Sequence, residues 1–226
     1  MKKWFAISAI FLSSYLAFLL ASVPLSLMVK NIQLPKNIEL NGVSGSIWQG
    51  EISRVLLSNY EIEEVKTSVS FWSLLSLSPS VQVFFGDAMS SGPEGKLNLS
   101  VSSEQVVLSN MELLISANDI AQQLPLPIPV RAQGSVELSL SELVIVTDKE
   151  LSCSRAEGIV TWSRAGVIAL EENIKLGKFT SEISCANGKL IAEISPKNNL
   201  GLSFNGVLAL NTQKVSGNGF IKPGAK

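Results

Sequence analysis

The chain has 226 residues, 46% of them hydrophobic and only 16% charged, which is length enough for one large domain or two small ones and too apolar for a disordered chain. It contains no histidine, so Ser-His-Asp triads, Cys-His pairs and His-ligated zinc are excluded. Without Lys2 and Lys3, 16 basic residues face 19 acidic ones, and a body with that balance has no electrostatic reason to bind nucleic acid.

Met1-Lys2-Lys3 precedes an uncharged run of 26 residues, Trp4 to Val29. As one helix it would be roughly 39 Å long, against about 30 Å for a hydrocarbon core. The lysines before it place the N-terminus in the cytoplasm by the positive-inside preference, and Trp4 suits the headgroup interface. Residues 1–30 are therefore expected to be an uncleaved signal anchor, with Pro24 kinking or ending the helix near its outer edge. A cleaved signal peptide is the rival, but its small-x-small site is poorly matched around Ala21. Ala17 and Ala21, four apart, suit either close helix packing or an ordinary lipid-facing stripe.

Residues 31–226 read as strands. KLNLSVS (96–102), GSVELSLSELVIV (134–146), KLIAEIS (189–195) and LGLSFNGVLAL (200–210) alternate apolar and polar positions, the period of a sheet with one face on a core. Turn signals recur at Asn41-Gly42, Ser91-Gly92-Pro93, Asn187-Gly188 and Asn205-Gly206, spacing that argues for antiparallel hairpins. SANDIAQQLP is the best helix signal, capped by Ser116 and stopped at Leu124-Pro125, and WSLLSLSP (72–79) is a second candidate turn of helix. PLPIPV (125–130) is a stiff connector where the body would divide, unless it only joins neighbouring strands. The expected fold is mainly β: a single N-terminal transmembrane helix, then an elongated or curved antiparallel β-sheet body with one or two short helices.

Bond-making groups are scarce. There is no Walker loop and no dinucleotide fingerprint. The adjacent pairs Glu63-Glu64 and Glu171-Glu172 point to opposite faces of a strand and do not converge. Ser195-Pro196-Lys197 has the wrong spacing for a Ser-x-x-Lys nucleophile, and Asn98-Leu99-Ser100 matches a glycosylation acceptor, by chance if the source is bacterial. No catalytic, cofactor-binding or metal residues are expected. Cys153 and Cys185 are the only cysteines. An oxidising compartment would join them in a disulfide; the alternative is two buried thiols. Within GSIWQG (45–50), Trp48 either packs on the core or stacks on a glycan or partner, and the glycines mark bulges or close backbone approach.

Taken in order, LNGVSGSIWQG (40–50), VSFWSLLSLSPSV (69–81), PLPIPVRAQGSVEL (125–138), GIVTWSRAGV (158–167) and LGKF (176–179) resemble the type II secretion system protein N family over nearly the whole chain. The resemblance makes Gly42, Gly45, Trp48, Gly50, Trp72, Gly134, Gly158 and Trp162 structural motif positions, and the cysteines fall where the family's pair is expected. It implies a non-catalytic accessory or assembly subunit in the Gram-negative inner membrane. Its C-terminal domain would be periplasmic and its partners other inner-membrane and periplasmic secretion subunits. A second reading is a periplasmic module whose β-sheet groove binds lipid or another hydrophobic ligand.

Overall fold

The computed structural model describes residues 2–31, 38–57, 60–71, 73, 78–87, 92–124, 128–148, 150–170 and 172–222. Two helices lead, α1 (Lys2–Ala21) and α2 (Leu25–Asn31). Strands follow: β1 (Ile38–Gly45), β2 (Gln49–Leu57), β3 (Tyr60–Val69), β4 (Ser80–Phe85), β5 (Glu94–Val101) and β6 (Gln105–Ser116). After helix α3 (Ala117–Gln123) come β7 (Val130–Val146), β8 (Ser152–Ala169), β9 (Glu172–Ala186), β10 (Lys189–Ile194), β11 (Leu202–Ala209) and β12 (Lys214–Ile221). Among the described residues these strands form a single 12-stranded sheet in which each pairs antiparallel with its neighbours in sequence. The proline-rich connector therefore joins neighbouring strands, β6 and β7, of one continuous sheet.

The alternation read in the sequence becomes two chemically distinct faces. One cross-strand row runs Phe85–Gly95–Leu113–Leu138–Val160–Ser181–Ile194–Phe204–Gly219 from β4 to β12. The row beside it, on the opposite face, runs Phe84–Lys96–Glu112–Ser139–Ile159–Glu182–Glu193–Asn205–Asn218. A sheet normally buries its apolar face under a second layer. In this sheet the buried hydrophobic set is small: Ile52, Val65, Ala117, Leu140, Cys153, Ala165 and Phe179. Most of the apolar row is half-buried.

Over the middle of the sheet, cover among the described residues comes from α3, which packs on β6 and β7. Ser116 caps it with extended backbone (φ −64°, ψ 133°), its hydroxyl accepting from the Asn118 N–H at 3.2 Å, as the cap signal predicts. Ala117 is buried, and the Tyr60 hydroxyl donates to the Asp119 carbonyl at 3.1 Å, tying α3 to β3 across 59 residues of sequence. Bulges break the register on the long strands, notably where Gly134 on β7 faces Arg164 and Ala165 on β8. Gly134 has φ +90°, and a Cβ there would collide with the Ser163 carbonyl. Only glycine meets both demands cheaply.

Cys153 and Cys185 are disulfide-linked, Cα–Cα 5.6 Å and 32 residues apart. The bridge ties β8 to β9 beside the Asn187-Gly188 turn, where the Cys153 N–H also donates to the Gly188 carbonyl at 2.9 Å. In the chain-entropy model such a closure contributes about 3–4 kcal/mol.

Several expectations change. Asn187-Gly188 does turn the chain, with φ +52° and +74°. However, Asn41 pairs with Arg54 inside β1, and Asn205 pairs with Asn218 inside β11. The 26-residue apolar run does break at the expected proline: α1 ends at Ala21, and α2 starts after Pro24, which lacks a donor and disfavours helix in the residue before it. Among the described residues no helix is long and apolar enough to cross a membrane. WSLLSLSP lies largely outside the described residues, Trp72 included.

Burial raises the Tyr60 phenol above its ordinary 10.0, and the nearby Asp119 carboxylate adds to the effect. The folded state then holds the proton more tightly than the unfolded state, so stability is intact below pH 10 and falls as pH rises through the folded value. Tyr60→Phe should cost about 1 kcal/mol at pH 8 in urea unfolding, from loss of the Asp119 bond. The gap to wild type should narrow above pH 10, because only wild type carries this alkaline loss.

Candidate interaction surfaces

GSIWQG is where the helices meet the sheet. Gly45 and Gly50 pair at the ends of β1 and β2, and the Ser46 N–H donates to the Gln49 carbonyl at 2.9 Å, so the hexapeptide is the hairpin turn. Pro24 bridges to Ser46, and the Ile47 N–H donates to the Val23 carbonyl at 3.0 Å. The Trp48 indole N–H reaches 28 residues back to the Leu20 carbonyl at 2.9 Å. That carbonyl belongs to the last turn of α1, where no intrahelical partner remains. Beneath it Gly50 is buried, and a methyl there would collide with the Leu25 side chain. Trp48 also packs on Phe71, ring centroids 5.5 Å apart. The indole's role is thus internal: it joins α1 to the first hairpin.

Trp162 repeats the arrangement on the long strands. Its indole N–H donates to the Gln133 carbonyl at 2.8 Å, and its ring lies 5.8 Å from Phe179. Gly158 sits in the same strand, where a Cβ would press to 3.0 Å on the Ser139 carbonyl and 3.2 Å on Leu140. Gly42 (φ +69°) lies inside β1 against Ser53, and Gly45 (φ +80°) opens the turn. The described motif residues therefore fall into two distinct groups, one at the α1–β1–β2 junction and one on β7–β8. Composition does not single out their ring partners Phe71 and Phe179. The tryptophan-to-phenylalanine pairs become visible only once β2, β3, β8 and β9 are in register.

The polar face holds its charges in pairs, Lys96 with Glu112 at 3.0 Å and Lys66 with Glu64 at 3.4 Å, around an open groove of about 510 Å³ that exposes Phe84. Among the described residues no group of three Cys, Asp or Glu side chains is placed to hold a metal. The apolar face carries one anomaly: the Ser181 hydroxyl is buried without a hydrogen-bond partner.

The two edges of the sheet differ. At β1, α2 packs alongside, Glu39 supplies a charge, and Gly42 distorts the strand. All three are ways of blunting an edge. At β12 eight consecutive pairs with β11 run without a bulge, and every residue is exposed, Val215 at 78% and Phe220 at 67%. The Lys222 N–H donates inward to the Gly201 carbonyl at 3.1 Å. Antiparallel alternation then turns the backbone N–H and C=O groups of Val215, Gly217, Gly219 and Ile221 outward.

Fold and surfaces together define an open, one-layer β-sheet protein with an apolar N-terminal helix clasped to its first hairpin. Residues 36–226 match the family model described as type II secretion system (T2SS), protein N. The chain belongs to that family. It is 27% identical over 199 residues to type II secretion system protein N of Aeromonas hydrophila, covering 86% of this chain and 76% of that protein. Against the protein of the same name from Klebsiella pneumoniae it is 28% identical over 226 residues, covering 99% and 85%. The Vibrio cholerae counterpart is 24% identical over 209 residues, covering 89% and 82%. No solved structure matches the chain.

Trp48→Phe keeps an aromatic ring against Phe71 but removes the donor to Leu20. Stability should fall by about 1 kcal/mol. Hydrogen exchange at the Ile47 amide should quicken, because the adjoining bond to Val23 loses its support, while amides of β8 and β9 stay protected.

Proposed function

We propose that this protein is a non-catalytic assembly subunit of a type II secretion machine, anchored in the Gram-negative inner membrane with its β body in the periplasm. The observation that carries the reading is membership of the protein N family over residues 36–226. The anchor is the segment 1–30, with the N-terminus cytoplasmic, and 31–226 is the periplasmic domain. Three features support this. α1 has 20 residues, about 30 Å of helix, and exposes Trp4, Ile10, Phe11, Phe18 and Leu20 on all sides. Lys2 and Lys3 open it, ahead of the apolar stretch from Trp4, in keeping with the positive-inside preference. The Cys153–Cys185 disulfide fits an oxidising compartment. A sheet without convergent reactive groups acts through shape and contact, and its partners are other inner-membrane and periplasmic secretion subunits.

The bare apolar face favours a second reading, a lipid- or hydrophobic-ligand-binding module. Leu113, Leu138, Val160 and Ile194 form a half-buried strip, and among the described residues α3 is the helix that packs on β6 and β7. Ser181 adds an unsatisfied hydroxyl on that strip, a group that costs about 1–3 kcal/mol left unpaired. A polar atom of a lipid headgroup or ester would satisfy it.

Both readings meet in one experiment. The protein is extracted in mild detergent from cells expressing the whole secretion machine, and its companions are identified by mass spectrometry, with native spectra recorded on the intact species. The assembly reading expects inner-membrane secretion subunits in the eluate and impaired secretion on deletion. Recovery of none, with normal secretion after deletion, contradicts it. The ligand reading expects a lipid mass adduct that Val160→Glu abolishes; a bare polypeptide mass removes it.

A further inference from the structure

We propose that β12 is a docking edge that takes an added β-strand from a partner protein, and that the incoming strand is apolar in its middle and acidic at its ends. The inference rests on the assembly reading and assigns it a contact surface. Its basis is the contrast between the two edges of one sheet. Edges left bare invite pairing with another chain, and proteins that gain nothing from this blunt them with charge, bulge or cover. β1 carries all three devices, while β12 carries none between its ends. Val215, Gly217, Gly219 and Ile221 present outward donors and acceptors along the full strand; the Phe204 ring lies over the two glycines on the apolar face and leaves the lateral edge open. Val215 and Ile221 supply apolar contacts on one face and Phe220 on the other. These are the elements of recognition by strand addition, with main-chain bonds for affinity and alternate side chains for choice of partner.

Charge selects the occupant. Lys214 and Lys222 bracket the strand, no acidic residue lies between them, and neither enters an ion pair among the described residues. A second copy pairing β12 antiparallel to β12 over its full length would set Val215 against Ile221 and Gly217 against Gly219. It would also set Lys214 against Lys222 at both ends, and like charges directly opposite one another destabilise a sheet pair. A strand with acidic ends turns both of those contacts attractive. The occupant is therefore a heterologous strand and not a copy of this chain.

The test uses the full chain in detergent, with backbone amides followed by NMR. The probes are a synthetic peptide of alternating valine and threonine with glutamate at both ends, and its lysine-ended counterpart. The glutamate peptide should shift the amides of Val215, Gly217, Gly219 and Ile221 and bind about fivefold or more tightly than the lysine peptide at low salt. Val215→Pro with Gly219→Pro removes two outward N–H groups and spares the bonds to β11, so it should abolish the shifts. Unchanged amide signals in β8 and β9 establish that the variant is folded. No shift at β12 with either peptide, equal binding of the two, or binding that survives the prolines each overturns the inference. So does a β12-mediated dimer that the prolines dissociate, which would make the occupant a second copy. Loss of the peptide effect while wild type still recovers secretion subunits sinks the edge and leaves the assembly reading standing. Recovery of no subunits sinks the assembly reading alone.

Discussion

The structure depends on an uninterrupted antiparallel hydrogen-bond ladder: each of the described strands bonds to the strand before and after it in sequence, from β1 to β12. Such a ladder satisfies the backbone without needing a second layer. It leaves the side chains less well provided for. With no residue of large volume fully buried, the sheet cannot draw its stability from a thick core, so it recruits local devices. The disulfide holds the β8–β9 end, α3 covers part of the apolar face through Ala117 and Tyr60, and the Trp162–Phe179 pair sits where a bulge bends β8. Each device acts at a different place along the sheet.

A one-layer open sheet has two faces and two edges, and in this protein all four differ. The polar face pairs some of its charges, Lys96 with Glu112 and Lys66 with Glu64, but sets Glu182 directly beside Glu193. The apolar face stays half-buried and retains one unsatisfied hydroxyl. One edge is closed off by the junction with the N-terminal helices, while the other is bare. Trp48 matters because of this asymmetry: its bond to Leu20 fixes which edge lies next to the helix. If α1 is in the bilayer, the bare edge is the one carried away from the membrane. Eleven strand spacings of about 4.8 Å would set it roughly 50 Å along the sheet from the junction. That distance makes a single sheet a spacer as well as a surface.

The β character was legible in the sequence because alternation reports a backbone period directly, and KLNLSVS, KLIAEIS and GSVELSLSELVIV all became strands. The short helix was legible because Ser116 is a local cap. Failures came where meaning depends on distant chain. Asn-Gly marks a turn only if its flanking strands pair with each other; Asn41 instead pairs within β1 with Arg54 of β2, and Asn205 pairs with strands on either side. The break near Pro24 was legible because proline acts on the backbone locally, but its pairing with Ser46 was not, because it joins segments over 20 residues apart. Period two also cannot say which strand ends a sheet. The two edges, and hence the candidate surface, emerged only from the register.

The central claim is that the sheet is open, with β1 and β12 as separate, unequal edges. Spin labels at Glu39 and Ser216, both exposed, measure it by pulsed dipolar spectroscopy on the intact protein. An open sheet predicts a separation of several strand spacings, well beyond about 20 Å. A separation near one spacing, about 5 Å between backbones, would mean that the edges meet and the sheet closes into a barrel, and it would contradict the account.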